Sequence, residues 1–421
     1  MMSVADAELE VGIEWYATRG PPCAARAKAS PQDFLVEEEV EFEGLSTGEK
    51  EGYYPLYRVE KSSVDTLHMA EELSSALRSR VSYAGLKDKR AASVQYVTPT
   101  SSRASRPPVV IKDRFTARLV GYLPRPVSRA SMTGNRFEVI LRECSSCVRE
   151  AAGEALRAAE ERRVPNYYGL QRFSASGAGT HRIGRAIVKR DFAAAVKVML
   201  LAGLDSSSSE GEAVSYLSQG RYLEASNVLP PGRDVERRVA RELGRSGGDW
   251  VKVLRAVPIE LRRLYVHAYQ SLIFNKTLSL ALSRGEDISA LQEGDNWAVA
   301  AGGGLVTPRV MGVHDGHRPG AVPMIQLAGY AFRDYGSRFD ACAVEVMKEE
   351  GVLPKEFYVE EMQEVSAEGG FRRPHLALKS AALDVEGETA RLGFTLGRGQ
   401  YATVLLREII KPTDPVLAGL A

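Results

Sequence analysis

The stretch GLKDKRAASVQ, residues 85–95, sets one acid, Asp88, among three bases, Lys87, Lys89 and Arg90. Nearby positive charge favours a carboxylate over its protonated form, so Asp88 should stay ionised, which suits a nucleophile or an electrostatic stabiliser and disfavours a general acid. The same cations could bind phosphates around a nucleotide presented to Asp88. Taken alone, the pattern also fits a solvated turn, and the flanking sequence decides between the two. Upstream, Asp65 or Thr66 can cap a helix whose Leu67, Ala70, Leu73 and Leu77 share one 3.6-residue face, closed by Arg78 to Arg80. Downstream, ASVQYVTP (92–99) reads as a strand. Asp88 therefore falls on a loop, after the short segment VSYAGLK and before a strand, and loops held by a rigid scaffold are where catalytic side chains concentrate.

Further strands lie on both sides. SPQDFLVEEEVEFEG alternates at Phe34, Val36, Val40 and Phe42; YYPLYRVEK and FTARLVGYLPRP follow; NRFEVILRE alternates at Phe137, Val139 and Leu141. A helix over REAAGEALRAAEERR ends before VPNYYGLQRF, and the character then changes. RIGRAIVKRDFAAAVKVML and RLYVHAYQSLIFNKTLSLAL are helical, separated by the Gly/Ser-rich loops LDSSSSEGE and GRSGGDW, and the closing GFTLGRGQYATVLLREII reads as strand. Tyr269, Ile273 and Phe274 in AYQSLIFN fall at helical offsets that predict core packing rather than a base-stacking platform. Strand-rich ends around a helical middle imply a discontinuous domain with a second one inserted.

A chain of 421 residues implies about two to three domains. With 44% hydrophobic and 26% charged residues, wholesale disorder is excluded. The sequence has no apolar run of the roughly 20 residues that span a bilayer and no basic-then-apolar leader, so no membrane role and a cytoplasmic location are expected. Four cysteines (Cys23, Cys144, Cys147, Cys342) make no secreted framework, and CSSC lacks the second pair or histidines of a zinc site, which predicts a structural role. Asparagine occurs only five times while Arg and Glu abound, a bias that fits a heat-adapted source and leaves an intracellular disulfide open.

The net charge of +1 hides a strong asymmetry. Twelve bases face three acids between Gly85 and Arg142, and seven bases face none between Arg162 and Arg190. Eight glutamates face two lysines between Glu345 and Glu368. The basic segments predict a polyanion-binding face, with the acidic segment elsewhere on the surface. His314 and His317 in HDGH lack a third ligand and read as a surface turn, and AAGGGLVTPR is a hairpin turn rather than a dinucleotide fingerprint. With no Ser-His-Asp or Cys-His set, P-loop or H-E-x-x-H motif, the sequence points to chemistry that one carboxylate can run without metal or cofactor.

AGLKDKRAASVQ resembles the G-x-K-D-x-x-A-x-x-x-Q nucleophile motif of the TruD family of pseudouridine synthases. Four further segments match in order: KASPQDFLVEE (28–38), GNRFEVILR (134–142), VPNYYGLQRF (164–173) and FTLGRGQYATVLLRE (394–408). The resemblance spans Lys28 to Glu408 and implies an α+β fold. Its catalytic domain would hold a mixed, mostly antiparallel sheet over 1–164 and 376–421, interrupted by an inserted α/β or largely helical domain over 165–375 whose length is similar to the archaeal branch. The resemblance implies isomerisation of uridine 13 of tRNA to pseudouridine, without cofactor, by a protein expected to be monomeric. It places Asp88 as nucleophile; Lys28, Phe34, Asn135, Phe137 and Tyr401 around the base; and Lys87, Lys89, Arg90 and Arg172 toward RNA. An amide can read a uracil edge, and an aromatic ring can stack on a base turned out of its helix. Ser93 stands where the family often has Thr, and Tyr401 where some members have Phe; the hydroxyl and the ring survive. The rival readings are a non-catalytic tRNA-binding or RNA-chaperone protein, and a carboxylate-pair glycoside hydrolase needing a second acid beside Asp88.

Overall fold

The computed structural model describes residues 4–85, 87, 91–173, 179–204, 210–299 and 320–421. The first part carries helices α1 (Asp6–Leu9), α2 (Thr66–Leu77) and α3 (Val148–Glu160) and strands β1 (Phe34–Val40), β2 (Tyr54–Lys61), β3 (Val81–Tyr83), β4 (Ala92–Pro99), β5 (Val109–Lys112), β6 (Phe115–Leu123) and β7 (Met132–Leu141). The middle holds α4 (Thr180–Val188), α5 (Phe192–Leu201), α6 (Gly211–Ser218), α7 (Tyr222–Val228), α8 (Asp234–Ser246), α9 (Trp250–Arg255), α10 (Ile259–Ser283) and α11 (Arg338–Glu349). Around α11 lie two short pairings, β8 (Trp297–Val299) with β9 (Ala321–Pro323), and β10 (Ile325–Leu327) with β11 (Gly370–Arg372). The chain closes on β12 (Leu378–Glu386), β13 (Thr389–Gly397) and α12 (Ala402–Ile410).

Nine strands from the two ends of the chain form one sheet in the order β12-β13-β7-β1-β4-β2-β6-β5, with β3 also on β4. Only the β1–β4 pairing among these is parallel, so the architecture is α+β with a mixed, mostly antiparallel sheet. Along one edge of β4 the partner changes: β1 pairs with Ala92 to Val94, whereas β3 pairs with Val97 to Pro99. The chain between β3 and β4, which carries GLKDKR, emerges at this change of partner.

The Asp65 carboxylate caps α2 by accepting from the Leu67 and His68 amides, as its position predicts. The buried face is Thr66, Met69, Ala70, Leu73 and Leu77; Leu67 points outward at 53% exposure, one position off the stripe assigned to it. A larger correction concerns YATVLLREII, which is helix α12 rather than strand. All nine of its residues are buried, Thr403, Arg407 and Glu408 included, so the polar side chains that mark its helical period face protein rather than solvent. RIGRAIVKRDFAAAVKVML divides into α4 and α5 where Arg190 takes a positive φ and Asp191 caps the second helix.

The acidic segment does not lie apart from the basic ones. Glu350, Glu356 and Glu361 pair with Arg185, Lys189 and Arg190, and Glu364 with Arg262, so the basic run at 185–190 is largely neutralised within the fold. Tyr269, Ile273 and Phe274 are core residues. Cys147 bonds to Cys23, Cα atoms 5.9 Å apart, rather than to its C-x-x-C neighbour Cys144, which is free and buried.

Pro165 and His375 bridge the two connections between the ends and the middle of the chain. His375 is 1% exposed and its Nε2 has no hydrogen-bond partner among the described residues, and burial pushes its pKa down to about 4. An unfolded histidine titrates near ~6.5. Between these values the unfolded chain takes up a proton that the folded chain refuses; the stability is complete above about pH 6.5 and falls toward pH 4, by at most about 3 kcal/mol. Urea unfolding at pH 7.5 and pH 4.5 should show His375→Gln losing about 2 kcal/mol less than the unaltered protein on acidification.

Candidate active site

β1 and β7 pair so that Val36 faces Phe137 and Glu38 faces Asn135, placing Phe34, Val36 and Glu38 on the same sheet face as Asn135, Phe137 and Val139. Phe137 stacks on Phe394 of β13 at 5.3 Å and meets Phe34 edge-on at 6.0 Å. Its neighbour Gly134 has no room for a side chain: a Cβ there would lie 2.5 Å from the Leu396 carbonyl, so glycine is what lets β13 close on β7 beside Asn135. Ser30 and Asp33 cap each other ahead of β1, and Asp33 is held by Arg142 at 2.7 Å. Lys28, at φ 53°, sets its ammonium 4.8 Å above the Phe34 ring.

The opposite wall comes from the last helix and the VPNYYGLQRF segment. Tyr401 opens α12, with its ring 6.1 Å from Tyr168. Burial raises the Tyr401 phenol pKa, against Arg172 and Arg372. Arg372 ties the two segments together by donating to the Gly399 carbonyl and to the Asn166 side chain while lying 4.0 Å over Tyr168. Thr403 donates to Gln171, whose amide in turn donates to the Leu420 carbonyl. Between the walls is a cavity of about 550 Å³, lined by Lys28, Phe34, Lys87, Asn135, Phe137, Arg172 and Tyr401 together with Val36, Gln171, Leu264, Gln400 and Thr403.

Of the ten site residues expected from the sequence, these first seven meet in one cavity, although they come from five separate motifs. Asp88, Lys89 and Arg90 lie outside the described residues, as do His314, His317 and AAGGGLVTPR. The described residues flanking Asp88 are fixed by buried hydrogen bonds. Thr66 Oγ1 accepts from the Lys87 amide at 2.9 Å and donates to Gln95 Oε1 at 3.0 Å; Gln95 Nε2 donates to the Gly85 carbonyl at 2.8 Å. The glutamine that ends the motif thus holds the loop's entrance.

Lys87 corrects an expectation. It was grouped with Lys89 and Arg90 as a base facing RNA phosphate, but its side chain is 7% exposed and pairs with the fully buried Glu38 carboxylate at 2.9 Å. Its ammonium also donates to Asn135 Oδ1 at 2.8 Å. Burial pulls its pKa down while Glu38 opposes the shift. Glu38 is needed where β4 changes partner, since its other oxygen accepts from the Tyr96 amide at 3.1 Å, between the β1 and β3 pairings. Sequence reasoning assigned no role in the site to Glu38, Thr66 or Leu264. Glu38 lies within a quoted motif, which is a signal, whereas Leu264 sits on a helix read as core and gave none. Ser93 is 1% exposed with an unpartnered hydroxyl. Among the described residues no cluster of His, Cys, Asp or Glu could hold a metal ion, and no helix is long and apolar enough to cross a membrane.

Residues 10–409 match the family model for tRNA pseudouridine synthase D (TruD). A protein of Pyrobaculum neutrophilum named as a probable tRNA pseudouridine synthase D is 33% identical, with 97% of each chain covered. One of the same name from Methanopyrus kandleri is 34% identical over 85% of this chain and 86% of its own. A Methanosarcina mazei crystal structure described as tRNA pseudouridine synthase D superposes with a TM-score of 0.75 at 25% identity, covering 99% of this chain and all of that one.

Proposed function

The chain belongs to the tRNA pseudouridine synthase D (TruD) family, and on that premise we propose that it isomerises a uridine of tRNA, at position 13, to pseudouridine with Asp88 as nucleophile and no cofactor. The observation that carries this reading is the convergence of residues from five motifs on one aromatic-walled cavity, beside the anchored entrance of the Asp88 loop. The reaction breaks the N1–C1′ bond and forms C5–C1′; C5 gives up its proton and N1 gains one, so nothing is consumed. A uridine turned out of its stack would lie between Phe137 and Tyr401, with Asn135 on its edge. Phe34, Phe137 and Phe394 keep water from the detached base, which would otherwise be lost.

Arg172, with Lys89 and Arg90, meets the RNA backbone, while Lys87 works inside the site. The division into 1–164 with 376–421 and an inserted 165–375 is supported by the sheet, whose strands all fall between residues 34 and 141 or between 378 and 397. Action as a monomer belongs to this reading, and a tRNA substrate supports a cytoplasmic setting. The test is a pseudouridine map of unmodified tRNA incubated with the purified protein. A new pseudouridine at position 13 is expected, and a map with none would overturn the assignment.

A further inference from the structure

The buried pair Glu38–Lys87 has no place in the chemistry above, yet it ends on a residue of the cavity wall. A lysine only donates, so the Asn135 atom that meets Lys87 Nζ at 2.8 Å must be the amide oxygen. The Asn135 NH₂ group then has no hydrogen-bond partner among the described residues and belongs to the cavity wall. Glu38 holds Lys87 from the other side at 2.9 Å and is itself anchored on the Tyr96 amide. The orientation of the Asn135 amide is therefore set by buried protein groups in and behind the cavity wall rather than by the base.

We infer that the Glu38–Lys87–Asn135 chain is the element by which the site distinguishes uracil from cytosine, with Glu38 and Lys87 as positioning residues that keep a donor, never an acceptor, facing the base. The inference rests on the function proposed above. Moving the glycosidic link from N1 to C5 requires the detached base to turn about its N3–C6 axis, which exchanges the C2 and C4 carbonyls. A fixed NH₂ donor meets an acceptor in both poses of uracil. With the donor on the C4 edge of the bound nucleoside, cytosine sets its amino group against the Asn135 NH₂ before any cleavage and leaves both unpaired, a mismatch that costs about 1–3 kcal/mol when buried. Glu38 prevents the alternative arrangement: without its charge Lys87 has less reason to stay in the wall, and the amide is free to turn its oxygen toward the base.

The test uses the full-length protein and tRNA transcripts carrying U or C at the target position. In the Asp88→Asn background, where turnover is blocked, the U transcript is expected to bind about 10-fold or more tighter than the C transcript. Adding Lys87→Met should reduce that ratio to about threefold or less, and Asn135→Asp, whose carboxylate keeps the Lys87 contact but presents an acceptor, should invert it. With Asp88 intact, Lys87→Met should slow single-turnover pseudouridine formation about 10- to 100-fold while affinity for the whole tRNA, dominated by phosphate contacts, moves less than about threefold. An unchanged U-over-C ratio in Asn135→Asp, or no preference in the parent, overturns the inference. Asn135→Asp keeps the shape of the side chain, so it decides the matter even where Lys87→Met folds poorly. If the unaltered protein forms no pseudouridine at all, it is the proposed function that fails.

Discussion

Asp88→Asn is expected to lower single-turnover pseudouridine formation on tRNA by at least about a thousandfold, roughly 4 kcal/mol of barrier, with tRNA affinity within about threefold of the unaltered protein. The asparagine is isosteric and removes only the charge and the basic lone pairs, so a nucleophile or base is lost outright while the shape of the loop is kept. The entrance to the loop does not depend on the Asp88 side chain: Thr66 and Gln95 hold the Lys87 amide and the Gly85 carbonyl. A fall in rate with retained binding therefore reports chemistry. The non-catalytic reading makes the opposite forecast, that Asp88→Asn is silent while neutralising Lys89 and Arg90 weakens binding and flattens its salt dependence. Retention of even a tenth of the rate would remove Asp88 from the mechanism.

The parts of the fold that were legible in sequence are those where one face is covered and the other is not. Phe34 and Val36, and Phe137, Val139 and Leu141, alternate because β1 and β7 bury a single face, and that period survives in the sequence. Helix α12 is buried on every side, so its run of Val404, Leu405 and Leu406 reads like a strand beside β13, and the helical grouping of Thr403, Arg407 and Glu408 is easily passed over. The site divides along the same line. Asn135, Phe137 and Tyr401, proposed to meet the base with their own groups, were legible one by one from their motifs as residues of the cavity. The Glu38–Lys87 pair was not, because its meaning lies in a register: β1 must pair with β7 so that Glu38 faces Asn135, and β4 must change partner at Tyr96. Charge counting misled for a related reason. Composition along the chain cannot show that Arg185, Lys189 and Arg190 meet glutamates more than 160 residues away.

Arg407→Ala should destabilise the protein by about 5 kcal/mol, the largest stability effect of any substitution considered, because it leaves the buried Glu8 carboxylate without its guanidinium and the buried Glu408 with only the charge of Lys411. Arg407 is 2% exposed; it donates to both Glu8 oxygens, at 2.8 and 3.2 Å, to Glu408 at 3.1 Å and to the Trp15 carbonyl at 2.8 Å, and it lies 3.9 Å over the Tyr16 ring. Burial works against its charge, but Glu8 and Glu408 outweigh that and raise its pKa further. Glu408 in turn accepts from the Ala17 and Thr18 amides, so the Arg-Glu pair that ends the last motif holds residues 8–18 against α12. The same N-terminal segment gives its Val11 and Gly12 carbonyls to Asn275 and Ser279 of α10, which makes it the strap between the sheet layer and the helical middle. Releasing it should loosen both, and the loss should appear as one lowered urea midpoint rather than as fraying of the N-terminus alone. Glu8→Gln added to Arg407→Ala should recover about 1–2 kcal/mol, since the amide no longer demands a counter-charge, whereas Glu8→Gln alone should be destabilising; that change of sign is the mark of a buried charge left unpaired. An Arg407→Ala protein within about 1 kcal/mol of the parent, or one made worse by Glu8→Gln, would show that water reaches the pair and that the strap is held by packing instead.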